Sequence, residues 1–242
     1  MPFTAAHPAL VLPILRWRNL SATGLVVGSL SPDFEYFLKM SVLSRYSHTF
    51  WGLFYFDLPV SLCLAIIFHV VVKRPLIDNL PAWISERFHT LYALDFVGYL
   101  HSHFTSFMVS ALIGAASHII WDSFTHAHGF VVQRFPFFVT TIIPYDGARY
   151  PLYYALQHFS TAIGLVCLMW YLWRIPRTVF HRQPATWSFW PLLVLVAIVL
   201  LVLRFSGGWR EQIGNQVVSL ISASLAGLTV SGWWHKTKSA HG

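Results

Sequence analysis

Charge is scarce in this 242-residue chain: 10% of its residues are charged and only 9 are acidic. An average globular chain carries roughly 25% charged residues. A soluble fold this poor in charge could not cover its own surface, which favours a polytopic membrane protein. Cysteine is nearly absent as well. Cys63 and Cys167 both fall in apolar stretches, so no disulfide framework or CxxC metal site exists, and both are expected to be small buried hydrophobes. No GxSxG elbow and no phosphate-binding glycine loop occurs, and Ser29 and Ser106 belong to no recognisable triad. Serine-hydrolase chemistry therefore has no support. The opening MPFTAAHPALVLPIL lacks a basic stretch ahead of a continuous apolar run, so no cleaved signal peptide is expected.

What is present is apolar: 56% hydrophobic and 17% aromatic residues, with a mean hydropathy of +0.57. Runs at about 53–72, 104–125, 152–173, 190–203 and 213–234 read as membrane spans, the fourth short but extended at the interface by Trp187. Before them, LSATGLVVGSL stays apolar for only about a dozen residues ahead of Pro32 and Asp33, short of the roughly 20 that a span needs. It reads as a short or re-entrant helix ending in a polar site. The connection at 73–103 is more polar and interfacial, with helix breaks expected at Pro75 and Pro81. The expected fold is all-α: a polytopic membrane helical bundle of about five transmembrane helices plus a short or re-entrant N-terminal helical region. It forms a single integral membrane domain over 1–242, with a motif-bearing core at 1–175 and two C-terminal packing helices at 176–242.

The net charge is +7. Its carriers sit at the ends of apolar runs: Lys73, Arg74, Arg174, Arg177, Arg204, Arg210, Lys236 and Lys238. That placement fits loop anchors facing anionic head groups, so membrane lipid is the expected partner and nucleic acid is not. Lysines and arginines divide evenly between the two sets of loops, so they set no orientation.

With acids so few, their positions carry information. In SHIIWDSFTHAHG, His118, Asp122 and His126 stand four residues apart, which on an α-helix puts all three on one face. Ionisable groups in so apolar a run are costly and tend to face a site or a water-filled cavity. Two imidazoles and a carboxylate suit zinc, with manganese or iron as alternatives. One helix seldom encloses a metal, so His7, Asp33, His48 and His158 are the further candidate ligands. Threading the chain through its spans brings all of these, with Asp57 and Asp146, to one membrane face. Asp33 and Asp122 are the candidate catalytic carboxylates, and either could bridge two metals in a phosphoester-cleaving site. The structural alternatives are a hydrogen-bonded polar stripe for the HxxxDxxxH helix and helix capping for Asp33. His69, His101, His103 and His128 read as packing or interface residues, and His181, His235 and His241 as loop or tail residues.

The order of MPFTAAHPALVLP, GLVVGSLSPDFEYFL, SHTFWGLFYFDLPVSL, GAASHIIWDSFTHAHG and LYYALQHFSTAIG resembles the bacterial membrane proteins of Domain of Unknown Function 4184 over about residues 1–170. Those elements are in turn distantly similar to predicted membrane-bound metal-dependent hydrolases. The resemblance implies His7, Asp33, His48, His118, Asp122, His126 and His158 as ligands, and the bacterial cytoplasmic membrane as the location. Three function classes follow. The first is a metal-dependent hydrolase acting on a lipid or phosphoester. The second is a haem-binding helical membrane protein with His118 and His158 as axial ligands. The third is a non-enzymatic transporter or structural membrane protein.

Overall fold

The computed structural model describes residues 4–206 and 212–241, with side chains at the C-terminal end described as far as Thr237. Arg210 and Glu211 lie outside the described residues, as do the side chains of Lys238 and His241. Among the described residues the regular structure is helical apart from one short hairpin, Ile142–Tyr145 with Ala148–Pro151. Asp146 and Gly147 make its turn, both at positive φ (49° and 73°), the conformation that an Asp-Gly pair adopts in a two-residue hairpin loop. Asp146 is thereby a turn residue.

Among the described residues, four helices are long and apolar enough to cross a membrane: Leu53–Asp78, Phe96–Arg134, Leu152–Arg174 and Ile213–Thr237. Phe189–Phe205, the remaining expected span, is a shorter apolar helix of 17 residues. The second span begins eight residues before its expected start at Phe104, because Asp95 Oδ1 accepts from Gly98 N at 3.2 Å and caps the helix there. Its backbone leaves helical geometry at His103 (φ −129°, ψ 30°). The first span carries a wider π turn at each end of its regular part, Leu53–Asp57 and Phe68–Val72, and each holds one buried ionisable residue, Asp57 and His69. Cys63 is exposed and Cys167 half-buried, which corrects the expectation that both are buried. Lipid tails are as apolar as a leucine side chain, so no hydrophobic force drives these thiols inward.

Contacts divide the chain into two compact units. Residues 34–45 and 62–102 group with the C-terminal helices. The first unit takes the described residues of Met1–Asp33 with Tyr46–Ser61 and His103–Arg174. Its opening 3-10 helix, Thr4–Ile14, packs against the helices Ala22–Leu30 and Leu152–Arg174. Ala22–Leu30 starts at Ser21, whose hydroxyl accepts from Gly24 N at 3.2 Å. Gly24 and Gly28, one turn apart, then let it approach the long helix closely, and Gly114 faces it from that helix. A Cβ at Gly28 would lie 2.2 Å from Ala111 O, and one at Gly114 would lie 2.3 Å from Leu25 O. This is the close small-residue crossing of membrane helices.

The second unit holds Phe34–Arg45, Leu62–Ser102 and the described residues of Ile175–Gly242. Its last two helices pack backbone to backbone at Gly227, where a Cβ would meet Leu193 O at 2.4 Å, and Ser231 Oγ donates to Phe189 O at 2.7 Å. Glu35 is fully buried here, but its carboxylate is taken up by the neighbouring turn: it accepts from Lys39, from Ser44 Oγ at 2.9 Å and from Arg45 N at 2.8 Å.

Candidate metal centre

Every residue of the candidate site lies in the first unit. Asp33 closes the 3-10 turn Ser31–Asp33 that ends the Ala22–Leu30 helix, and it is buried. His48 comes from an irregular segment tied by Thr49, whose hydroxyl donates to Tyr46 O at 2.8 Å and accepts from Gly52 N at 2.9 Å. A Cβ on Gly52 would stand 2.0 Å from Tyr46 O, so the turn that presents His48 needs glycine at that position. His118 and Asp122 share one face of the long helix, four residues apart.

Asp33, His48, His118 and Asp122 each offer one ligand atom, all within 4.8 Å of one another. His118 Nε2 is 3.5 Å from Asp33 Oδ1 and 3.3 Å from Asp122 Oδ2; His48 Nε2 is 3.6 Å and 3.5 Å from the same two atoms. These separations are longer than ordinary N–H···O hydrogen bonds. They match the edges of a tetrahedron, about 3.4 Å, around a zinc-like ion with bonds of about 2.1 Å. Asp33 Oδ1 and His118 Nε2 are buried and find no hydrogen-bond partner among the described residues. Buried polar atoms left in that state are costly, and a cation between them relieves the cost.

The surrounding groups fix how the ligands point. His118 Nδ1 lies 2.7 Å from Ser29 O, so this nitrogen donates to the carbonyl and Nε2 presents its lone pair to the cluster. His7 Nδ1 likewise meets Thr4 O at 3.2 Å, leaving Nε2 3.1 Å from Asp122 Oδ1. The His7 and His118 rings stack at 3.6 Å. Thr4 Oγ1 donates to Asp33 Oδ2, and Ser47 Oγ stands 2.8 Å from His48 Nδ1. Burial alone would raise the Asp33 pKa, but His118 and His48 together hold it well below the usual carboxylate range. Burial would lower the pKa of His48, yet Asp122 and Asp33 outweigh it and push it up to about 9.

The other expected residues are placed as follows. His126 stands one residue past the end of the helix; its Nδ1 is 3.2 Å from Asp122 O and 3.4 Å from Asp122 Oδ1. It therefore sits with His7 on the far oxygen of Asp122, outside the four-residue cluster. His158 is exposed and its ring meets Tyr154 edge-on at 4.6 Å, so the structure does not bring it to the site or pair it with His118. The reason is helical phase. The inward face of Leu152–Arg174 is set by Gln157, Ser160 and Gly164: Ser160 Oγ accepts from Trp121 Nε1 at 3.0 Å, and Gly164 sits against Ala6 and Trp121. His158 is one residue, about 100°, away from Gln157. The orienting groups Thr4, Ser29 and Ser47 went unread in the sequence, since two of them act through backbone or local contacts. The GLVVG spacing of Gly24 and Gly28, by contrast, was a legible packing signal.

The fold and this cluster together define a helical membrane protein with a buried His/Asp group that could hold a metal ion. The chain matches the family described as Domain of unknown function (DUF4184) over residues 1–233, and it belongs to that family. No match was found among curated proteins or solved structures.

Proposed function

We propose that this protein is a membrane-embedded, metal-dependent hydrolase of the bacterial cytoplasmic membrane that acts on a lipid or another amphiphilic phosphoester. Asp33, His48, His118 and Asp122 hold a divalent metal, zinc in the first instance, with manganese or iron as alternatives. The observation that carries this reading is the set of four nitrogen–oxygen separations of 3.3, 3.5, 3.5 and 3.6 Å. Two imidazoles and two carboxylates form a donor set that such metals accept. A divalent metal held by these four side chains would supply Lewis acidity and, by taking water as a further ligand, would lower the pKa of that water toward 7.

The chain's own groups do the remaining work. The Ser29 carbonyl fixes the His118 tautomer, and the Thr4 hydroxyl holds Asp33 Oδ2 so that Oδ1 faces inward. His48 is the least enclosed ligand, with its side chain 20% exposed, so water and substrate approach on its side. Asp122 Oδ1, beside His7 Nε2 and His126 Nδ1, is the atom that accepts the proton released from the attacking water. The location of His118 and Asp122 on a helix apolar enough to cross a membrane supports an amphiphilic substrate.

Elemental analysis of the purified protein tests the reading. Wild type is expected to carry stoichiometric metal, and His118→Ala and Asp122→Ala are expected to lose it. The proposal fails if wild type binds no stoichiometric metal, or if Asp122→Ala retains it unchanged. A Soret band in the purified protein would replace it with the haem reading.

A further inference from the structure

The second unit contains a cavity of about 860 Å³ whose residues are none of those in the metal centre. Its walls come from the ends of three helices. Lys73 and Asp78 close the span Leu53–Asp78, Phe96 opens Phe96–Arg134, and Lys236 lies toward the C-terminal end of the helix Ile213–His241. A cavity at the ends of three spans lies at the level of the membrane surface.

One wall is pinned in place. Arg182 Nη1 donates to Asp78 O at 2.5 Å and Leu80 O at 3.2 Å; Asn79 Oδ1 accepts from Thr186 N at 2.8 Å. The carboxylates of the lining are engaged by backbone: Asp78 Oδ1 accepts from Gln183 N at 3.1 Å and Asp95 Oδ1 from Gly98 N at 3.2 Å. The cations are differently placed. Lys73 is buried and donates to Leu94 O at 2.5 Å, with further N–H groups to spare. Arg74 lies 5.6 Å over the Tyr92 ring, and neither Arg74 nor Lys236 forms an ion pair among the described residues. Val70, Leu94 and Val97 continue the lining as apolar surface.

We propose that this cavity binds an anionic phospholipid, its phosphate between Arg74 and Lys236 and its first acyl carbons on the apolar wall. The shared chemistry is a phosphate, free or esterified. The volume favours the ester, because it lies near the upper end of small-molecule pockets, far beyond what inorganic phosphate fills. Basic pockets between spans at the membrane surface are the expected receptors for such head groups.

The test is native mass spectrometry of the full chain in detergent, titrated separately with phosphatidylglycerol, phosphatidylcholine and inorganic phosphate. Phosphatidylglycerol is expected to bind at least tenfold more tightly than either of the others. Arg74→Gln with Lys236→Gln is expected to weaken it by about 25-fold, from two surface cations each worth about a factor of five. Arg74→Lys with Lys236→Arg keeps the affinity near wild type, and metal content stays unchanged throughout. Should the double glutamine variant fold poorly, Lys236→Gln alone, at an exposed position, carries the test with a loss of about fivefold. Wild-type phosphatidylglycerol affinity in the glutamine variants overturns the proposal. Equal binding of phosphatidylcholine removes the anionic selectivity and overturns it too. Equal binding of inorganic phosphate makes this a free-anion site and overturns the lipid assignment.

Discussion

Gly114→Ala tests whether helix packing sets the metal centre. The added Cβ would lie 2.3 Å from Leu25 O and 2.7 Å from Ser29 N, so the two helices must part by about 1 Å to reach an ordinary contact near 3.4 Å. Overpacking of this kind costs about 1–3 kcal/mol. The displaced residue is also the one that orients a ligand. His118 Nδ1 is 2.7 Å from Ser29 O, and about 1 Å of separation takes that contact beyond hydrogen-bond range. Loss of an orienting partner of a metal-bound imidazole weakens metal affinity by about 10–100-fold. The assays are thermal unfolding of the detergent-solubilised protein and competition with a metal chelator. Gly227→Ala is the control. Its Cβ would meet Leu193 O at 2.4 Å in the second unit, so it should lower the melting temperature while the folded protein keeps wild-type metal affinity. Equal metal affinity in Gly114→Ala and wild type would refute the claim that the helix crossing holds His118.

Three further outcomes are expected. His158→Ala should leave metal content at the wild-type level by elemental analysis, because its ring packs on Tyr154 away from the cluster. His7→Ala should reduce hydrolysis of a phosphodiester reporter more than it reduces metal content, because His7 Nε2 meets the outer oxygen of Asp122. Metal uptake should release protons. His48 is raised from 6.5 to about 9 in the metal-free protein, so its ion pair with the two aspartates is fully present below pH 6.5 and fades as pH rises through 9. A metal must displace that proton, so affinity measured by competition should strengthen with pH across the same window, by up to about tenfold per unit. A flat profile between pH 6.5 and 9 would contradict the assigned state of His48.

The helical architecture was legible because composition and apolar run length report it directly. The His118 and Asp122 pairing was legible as well, since a four-residue spacing on a helix fixes a shared face whatever the surroundings. Asp33 stood out because acids are scarce in so apolar a chain, whereas His48 was one candidate among 13 histidines. His158 was harder to place. Its phase depends on Gly164 fitting against Ala6 and Trp121, a contact between segments far apart in the chain. The cavity around Arg74 was hidden for the same reason, because Asn79 reaches Thr186 across more than a hundred residues.

The imidazoles of His118 and His7 take their orientation from peptide carbonyls, those of Ser29 and Thr4. A side-chain partner can be lost by a single base change, whereas a carbonyl persists through any replacement at its position that keeps the backbone path. The identities at 29 and 4 are therefore free to drift as far as those imidazoles are concerned, while the glycines that set the path are not. Mutational tolerance around the centre should track backbone geometry more closely than the chemistry of neighbouring side chains, and a saturation scan of residues 22–33 would map that difference.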